Sequence, residues 1–247
     1  MFRTYSLHLI TNLELGSDLA GRDCDERDEL DPEECFTEIE GGIMCWEGDA
    51  EEPVEVGHVK ALLIDLDRTA DAWETLDSRS SELEGLYHDV FSPYSGVMRP
   101  AVAKLYDGDG AETFFDPVLY VEKIEICVAH RGLGVGLMAM NALLTHFRSH
   151  ATLAFCKPFP LHRKPPKHCE DDRDARYYDP NLSKVSIAPA TNALRRYWAK
   201  AGFVKLGRGP YFVTNLKKRD RAVNQMPKIL YPSAAVTGRC RLLLSRF

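Results

Sequence analysis

The sequence predicts an α/β fold, and three observations carry that prediction. Residues 118–147 read as a strand, a glycine-rich turn and an amphipathic helix in direct succession. Residues 1–66 hold three strand-like apolar runs able to make an antiparallel meander. Residues 152–216 again mix strand-like and helix-like segments.

In chain order, the N-terminal MFRTYSLHLI reads as a first strand, and Gly16 to Glu34, dense in acids and without an apolar period, as an exposed loop. Phe36 to Trp46 reads as a strand or a hairpin turning at Gly41-Gly42, and Val54 to Leu66 as a longer core strand. Trp73, Leu76, Leu83, Leu86, Tyr87 and Val90 form one helical stripe starting near Asp71. Val102 to Tyr106 and Thr113 to Phe115 suit short additional elements.

The central strand is carried by Val118, Leu119, Val121, Ile124, Ile126 and Val128, and the helix after it by Leu137, Met140, Leu143, Leu144 and Phe147 at three- and four-residue spacing. Thr152 to Cys156 reads as a strand that Pro158 and Pro160 end. The charged insert His162 to Ser183 is either a disordered excursion or a lid. A helix around Asn192 and strands at Phe203 to Leu206 and Tyr211 to Leu216 follow, and Arg219 to Phe247 shows no clear period before Arg239.

A chain of 247 residues can bury a substantial core. No apolar run approaches the roughly 20 residues that span a bilayer, and the N-terminus is too polar for a secretory signal, so a cytoplasmic protein is expected. Seven scattered cysteines without a CxxC pair argue for reduced thiols, and His162, His168 and Cys169 alone make a poor metal site, so no metal is expected. The net charge of −6 conceals an acidic N-terminal and a basic C-terminal part. The basic part lacks interleaved aromatics or a reading motif, so nucleic acid is not an expected partner.

The chemistry concentrates in Arg131-Gly132-Leu133-Gly134-Val135-Gly136. Glycines between a strand and a helix allow positive φ and close approach, and the first helical turn offers unpaired N–H groups, which together outline a phosphate cradle. A P-loop is excluded because no lysine follows these glycines. A dinucleotide loop is poorly matched, since Thr152-Leu153-Ala154-Phe155 supplies no acid about 20 residues further on.

Arg131-x-x-Gly134-x-Gly136 after a strand, joined downstream by Asn192 and by Tyr197-Trp198-Ala199-Lys200-Ala201-Gly202-Phe203, resembles the GNAT superfamily of acyl-CoA-dependent N-acyltransferases. The resemblance implies a mixed, mostly antiparallel central sheet with flanking helices and a splayed central strand pair. It implies one domain over 1–247, with 1–117 an atypical N-terminal half, 118–216 the acyl-CoA-binding core and 217–247 an extension. The N-terminal half departs from the usual order, because its strands precede its helix.

By the same resemblance, acetyl-CoA is the co-substrate. Backbone N–H groups of Gly132, Leu133, Gly134, Val135 and Gly136 would hold its pyrophosphate, with charge from Arg131, and the main chain of Ile126, Cys127 and Val128 would pair with pantetheine. Asn192 would be a CoA or helix-start contact. A tyrosine that protonates the leaving thiolate stands, in this family, where this chain has Trp198, and the neighbouring Tyr197 is the substitute candidate. Attack by an amine needs a base. Glu122 and Glu125 on the central strand are the nearest acids, and in a regular strand they would face opposite sides, so at most one would look into the site.

The acceptor is expected to be a small-molecule or protein amine, polar or cationic given the acidic loop, with a homodimer as an assembly common among similar proteins and no membrane partner. Two rivals stand beside this reading: a catalytically weak CoA-binding module acting through a partner, and a nucleotide-binding Rossmann-like domain.

Overall fold

The computed structural model describes residues 3–11, 31–48, 51–67, 69, 71–93, 95–106, 116–161 and 172–218. Most of the acidic loop, Thr113 to Phe115, the first part of the charged insert with His162, His168 and Cys169, and the segment from Arg219 onward lie outside these residues.

The described strands are β1 (Arg3–Thr11), β2 (Phe36–Glu47), β3 (Val54–Ile64), β4 (Val118–Ile126), β5 (Leu153–Cys156), β6 (Val204–Lys205) and β7 (Phe212–Asn215). They form one sheet in the order β1-β2-β3-β4-β5-β7-β6. Only β4 and β5 run parallel, and every other pair is antiparallel. The mixed, mostly antiparallel sheet is therefore present, and its first three strands are the expected meander. The helices are α1 (Ala72–Arg79), α2 (Ser81–Val90), α3 (Pro100–Tyr106), α4 (Val135–His146), α5 (Asp172–Tyr177) and α6 (Ile187–Ala199).

Alternation along β3 and β4 builds two cores. Val59, Ala61, Leu119 and Val121 join Val135, Ala139, Met140 and Leu143 of α4 on one face. Leu62, Ile64, Val118 and Tyr120 join Leu76, Leu83, Leu86 and Val102 of α1–α3 on the other.

One local expectation needs correction, and the choice between strand and hairpin at Phe36 to Trp46 falls to the strand. The single stripe from Trp73 to Phe91 is two helices, because Ser80 is extended at φ −172° and its side chain accepts a bond from Leu83 N–H as the cap of α2. Asp71 caps α1 as expected, accepting from Trp73 N–H at 2.7 Å and Glu74 N–H at 3.2 Å. Gly41-Gly42 is no hairpin turn, since β2 runs straight through it. A Cβ on Gly41 would lie 2.7 Å from the carbonyl oxygen of His8, so the glycine admits close packing of β1.

Two irregularities shape the sheet's centre. In the β3–β4 register Lys60 faces Lys123 while Ala61 faces Val121, so Glu122 is the extra residue of a β-bulge. On the other edge of β4 the pairing with β5 covers only Leu119–Val121 against Ala154–Cys156. Lys157-Pro158 then leaves the sheet, and β4 continues alone on that side to Ile126. The central strands splay from Val121 onward.

Candidate active site

The splay opens into a cavity of about 1090 Å³, walled by β4 from Val121 to Ile126, the turn from His130 to Gly136, the start of α4, the segment after β5 and one face of α6. Such a volume is at the upper end of ordinary ligand sites.

The turn is built for an anion. Gly132 and Gly134 have φ of 74° and 80°, the left-handed region open to glycine, and a Cβ at either would meet nothing within 4 Å. Gly134 is the N-cap of α4, and the first intrahelical bond runs from Met138 N–H to Gly134 O. Leu137 N–H donates instead to Tyr197 Oη at 2.7 Å. Val135 and Gly136 N–H have no intrahelical acceptor and sit at the positive end of the helix dipole.

Of the residues singled out in the sequence, Glu122, Glu125, Ile126, Arg131, Gly132, Leu133, Gly134, Val135, Gly136, Tyr197 and Trp198 line the cavity. Cys127, Val128 and Asn192 stand apart from that wall. Cys127 N–H donates to Val56 O at 2.8 Å, Val128 O accepts from Arg131 N–H at 3.2 Å, and Ile126 O accepts from Arg131 Nε at 2.9 Å. The edge of β4 left open by the splay is thus Glu122 to Glu125, upstream of the expected Ile126 to Val128. Asn192 is no helix start, since Ser186 precedes α6, and its exposed side chain accepts from Arg195 Nη1 at 3.4 Å.

Arg131 is largely spent within the protein. Besides Ile126 O, its Nη2 donates to Tyr177 O at 2.6 Å and its Nη1 lies 3.5 Å from Asp179 Oδ2. It ties the far end of the charged insert to the turn. That part of the insert also places the buried Tyr177 ring edge-on to His58, with centroids 5.4 Å apart, and contributes Asp179 and Leu182 to the cavity wall.

The expectation that Glu122 and Glu125 face opposite sides fails because the bulge resets the alternation. Both meet β3 residues of one face: Glu122 lies 3.9 Å from Lys60 Nζ, and Glu125 pairs with His58 Nε2. Their environments differ. Glu125 is 5% exposed and also holds Lys123 Nζ at 2.9 Å. For Glu122, burial pushes the carboxyl above its ordinary pKa, with Lys60 opposing.

Sequence reasoning missed Glu82, His130 and Lys157. Glu82 looked like a solvated helix face, yet it accepts from Tyr120 Oη, pairs with Lys157 Nζ at 3.0 Å and lines the cavity. Nothing local to α2 signals this, because both partners come from distant parts of the chain, Tyr120 on β4 and Lys157 just past β5. Among the described residues no cluster of three or more His, Cys, Asp or Glu could hold a metal, and no helix is long and apolar enough to cross a membrane.

No protein-family model and no curated protein matches the sequence. Solved structures similar to it include a KacT variant, at 11% identity and a TM-score of 0.39 over 87% of this chain and 98% of that one. A KacTA–DNA complex matches at 8% identity and a TM-score of 0.37 over 90% of this chain and 99% of that one. An AtaT variant toxin bound to the C-terminus of the antitoxin AtaR and acetyl-CoA matches at 8% and 0.36 over 90% and 99%. Likeness at these scores carries no weight for function, so the site is judged on its own geometry.

Proposed function

We propose that this chain is an acyl-CoA-dependent N-acyltransferase of the GNAT superfamily, transferring an acetyl group from acetyl-CoA to a primary amine by direct attack. The observation that carries it is the continuity of the open β4 edge with the glycine turn. Pairing with β5 stops at Val121 and Cys156, and the gap leads to a turn whose φ values and free first-turn donors suit a pyrophosphate. A long ligand with amides along its arm and phosphates at one end fits that wall.

Within this reading Glu122 is the base. Its raised proton affinity and place at the bulge suit proton removal from an ammonium acceptor. Glu125, held by His58 and Lys123, orders the strand and its neighbours. N–H groups on the open edge of β4 would face the thioester oxyanion. Tyr197 is the candidate acid for the departing thiolate. Glu82 and Glu122 in the wall favour a cationic acceptor.

Calorimetric titration of acetyl-CoA tests the reading, followed by a thiol-release screen over amines. Binding that a Gly134→Glu substitution abolishes, with turnover on some amine, is expected. No binding by the wild type overturns it, and so does affinity for NAD in place of CoA. The indole of Trp198 where the family has its tyrosine favours a second reading, a CoA-binding module without appreciable turnover. Binding without thiol release on any amine would select it.

A further inference from the structure

His130 precedes the glycine turn and lines the cavity, and no role in the reaction has been given to it so far. Its Nδ1 lies 3.3 Å from Tyr5 Oη on β1, with the two rings edge to face at 6.0 Å between centroids. When Tyr5 donates to Nδ1, the neutral ring carries its hydrogen on Nε2 and presents a donor beside the cradle.

We propose that His130, oriented by Tyr5, is a phosphate-binding residue of the cofactor site, and that it takes up a proton when the pyrophosphate of an acyl-CoA enters. The inference rests on the acyl-CoA reading above. The geometry makes it specific. Arg131, the expected charge for the pyrophosphate, already has Ile126 O, Tyr177 O and Asp179 as partners, which leaves less of it for a phosphate, and His130 is the neighbouring group able to become a second cation.

The surroundings keep it neutral in the free protein. Burial and Arg3 hold its pKa below the ordinary histidine value, while Glu47 opposes them. The titratable and charged groups around it are Arg3 and Tyr5 on β1, Glu47 on β2, Cys45 behind Tyr5, and Arg131 next in the chain. Arg3 and Glu47 pair at 2.8 Å, so their charges largely cancel at the ring. A bound phosphate would then be the dominant new charge. It raises the imidazole's proton affinity, so binding gains strength as pH falls toward the free protein's pKa.

The test is calorimetric affinity at pH 6 and pH 8, with acetyl-CoA and with dephospho-CoA. The second ligand lacks the 3′-phosphate, whose own titration near pH 6 would overlie the effect. Dephospho-CoA binding to the wild type should tighten severalfold from pH 8 to pH 6, within the tenfold limit that a one-unit rise in proton affinity sets. A His130→Gln variant, which keeps a donor but takes no proton, should lose that dependence, and Tyr5→Phe should weaken binding while retaining part of it. An unchanged pH dependence in His130→Gln, with the wild type still binding, overturns the role of His130 and leaves the acyl-CoA reading standing. A dependence seen with acetyl-CoA but absent with dephospho-CoA also overturns it, by assigning the proton to the 3′-phosphate. No binding of either ligand by the wild type overturns the acyl-CoA reading and this inference together.

Discussion

Glu122 and Glu125 lie on one side of the sheet although an odd number of residues separates them, because Glu122 is itself the bulge of β4. The two carboxylates share a face, and under the proposed function Glu122 is the base while Glu125 holds the strand. Glu122→Gln should lower kcat by about two to four orders of magnitude, the usual worth of a positioned base, and leave acetyl-CoA affinity within a factor of about two. Comparable losses in kcat and cofactor affinity would make Glu122 a binding group instead.

Glu125→Gln should act on stability. It removes a buried carboxylate from the Lys123 ammonium and the His58 ring, both about a third exposed, which lowers the expected cost to about 1–2 kcal/mol. At this chain length thermal unfolding should shift down by about 2–8 °C. A fully stable variant without activity would move the base from Glu122 to Glu125.

The pH profile follows from Glu122. A base must be ionised, and this carboxyl has a raised pKa, so kcat/KM should fall on the acid side at a higher pH than an ordinary glutamate would give. Lys60 opposes the shift, so Lys60→Met should move the acid limb further up. A limb unmoved in Lys60→Met would separate the titrating group from Glu122.

Gly134→Ala isolates backbone strain. A Cβ there would touch nothing, yet φ of 80° costs an L-residue about 1–2 kcal/mol, so stability should drop by that amount in chemical denaturation. Gly134→Asn should recover part of it, because asparagine tolerates the left-handed region.

Arg131 links the turn to Tyr177 at the end of α5 and to Asp179 just after it, so Arg131→Lys, a single ammonium, should replace it poorly. Amide hydrogen exchange across residues 172–184 should quicken in this variant, with little change across β1–β3. Unchanged exchange at 172–184 would mean that the Tyr177–His58 packing alone holds the segment.

The strand, turn and helix at 118–147 were legible because each is fixed by local periodicity and by glycines needing positive φ. The meander was legible in outline for the same reason. Gly41-Gly42 left a strand and a hairpin both open, because a glycine pair admits a close neighbour strand as readily as it reverses a chain, and only the partner strand decides. The break at Ser80 was not read, because the apolar stripe runs across it without interruption. The bulge at Glu122 could not be read, since it exists only as a mismatch between β3 and β4, and so the shared side of the two glutamates was lost with it. Glu82, His130 and the tethering of Arg131 depend on contacts between segments far apart in the chain, about which local pattern carries no information.

The gap between β4 and β5 also works as a window through a wall. The sheet keeps its two packed faces separate, with α4 behind one and α1–α3 behind the other. Val135 of the glycine turn and Tyr197 pack with the first core, while Leu83 beside Glu82 packs with the second. Two reactants approaching from opposite sides would meet only where the wall is missing. Replacing the groups on one side can then alter what is accepted there and leave the grip on the other reactant intact, so that acceptor choice is free to drift while the donor stays the same.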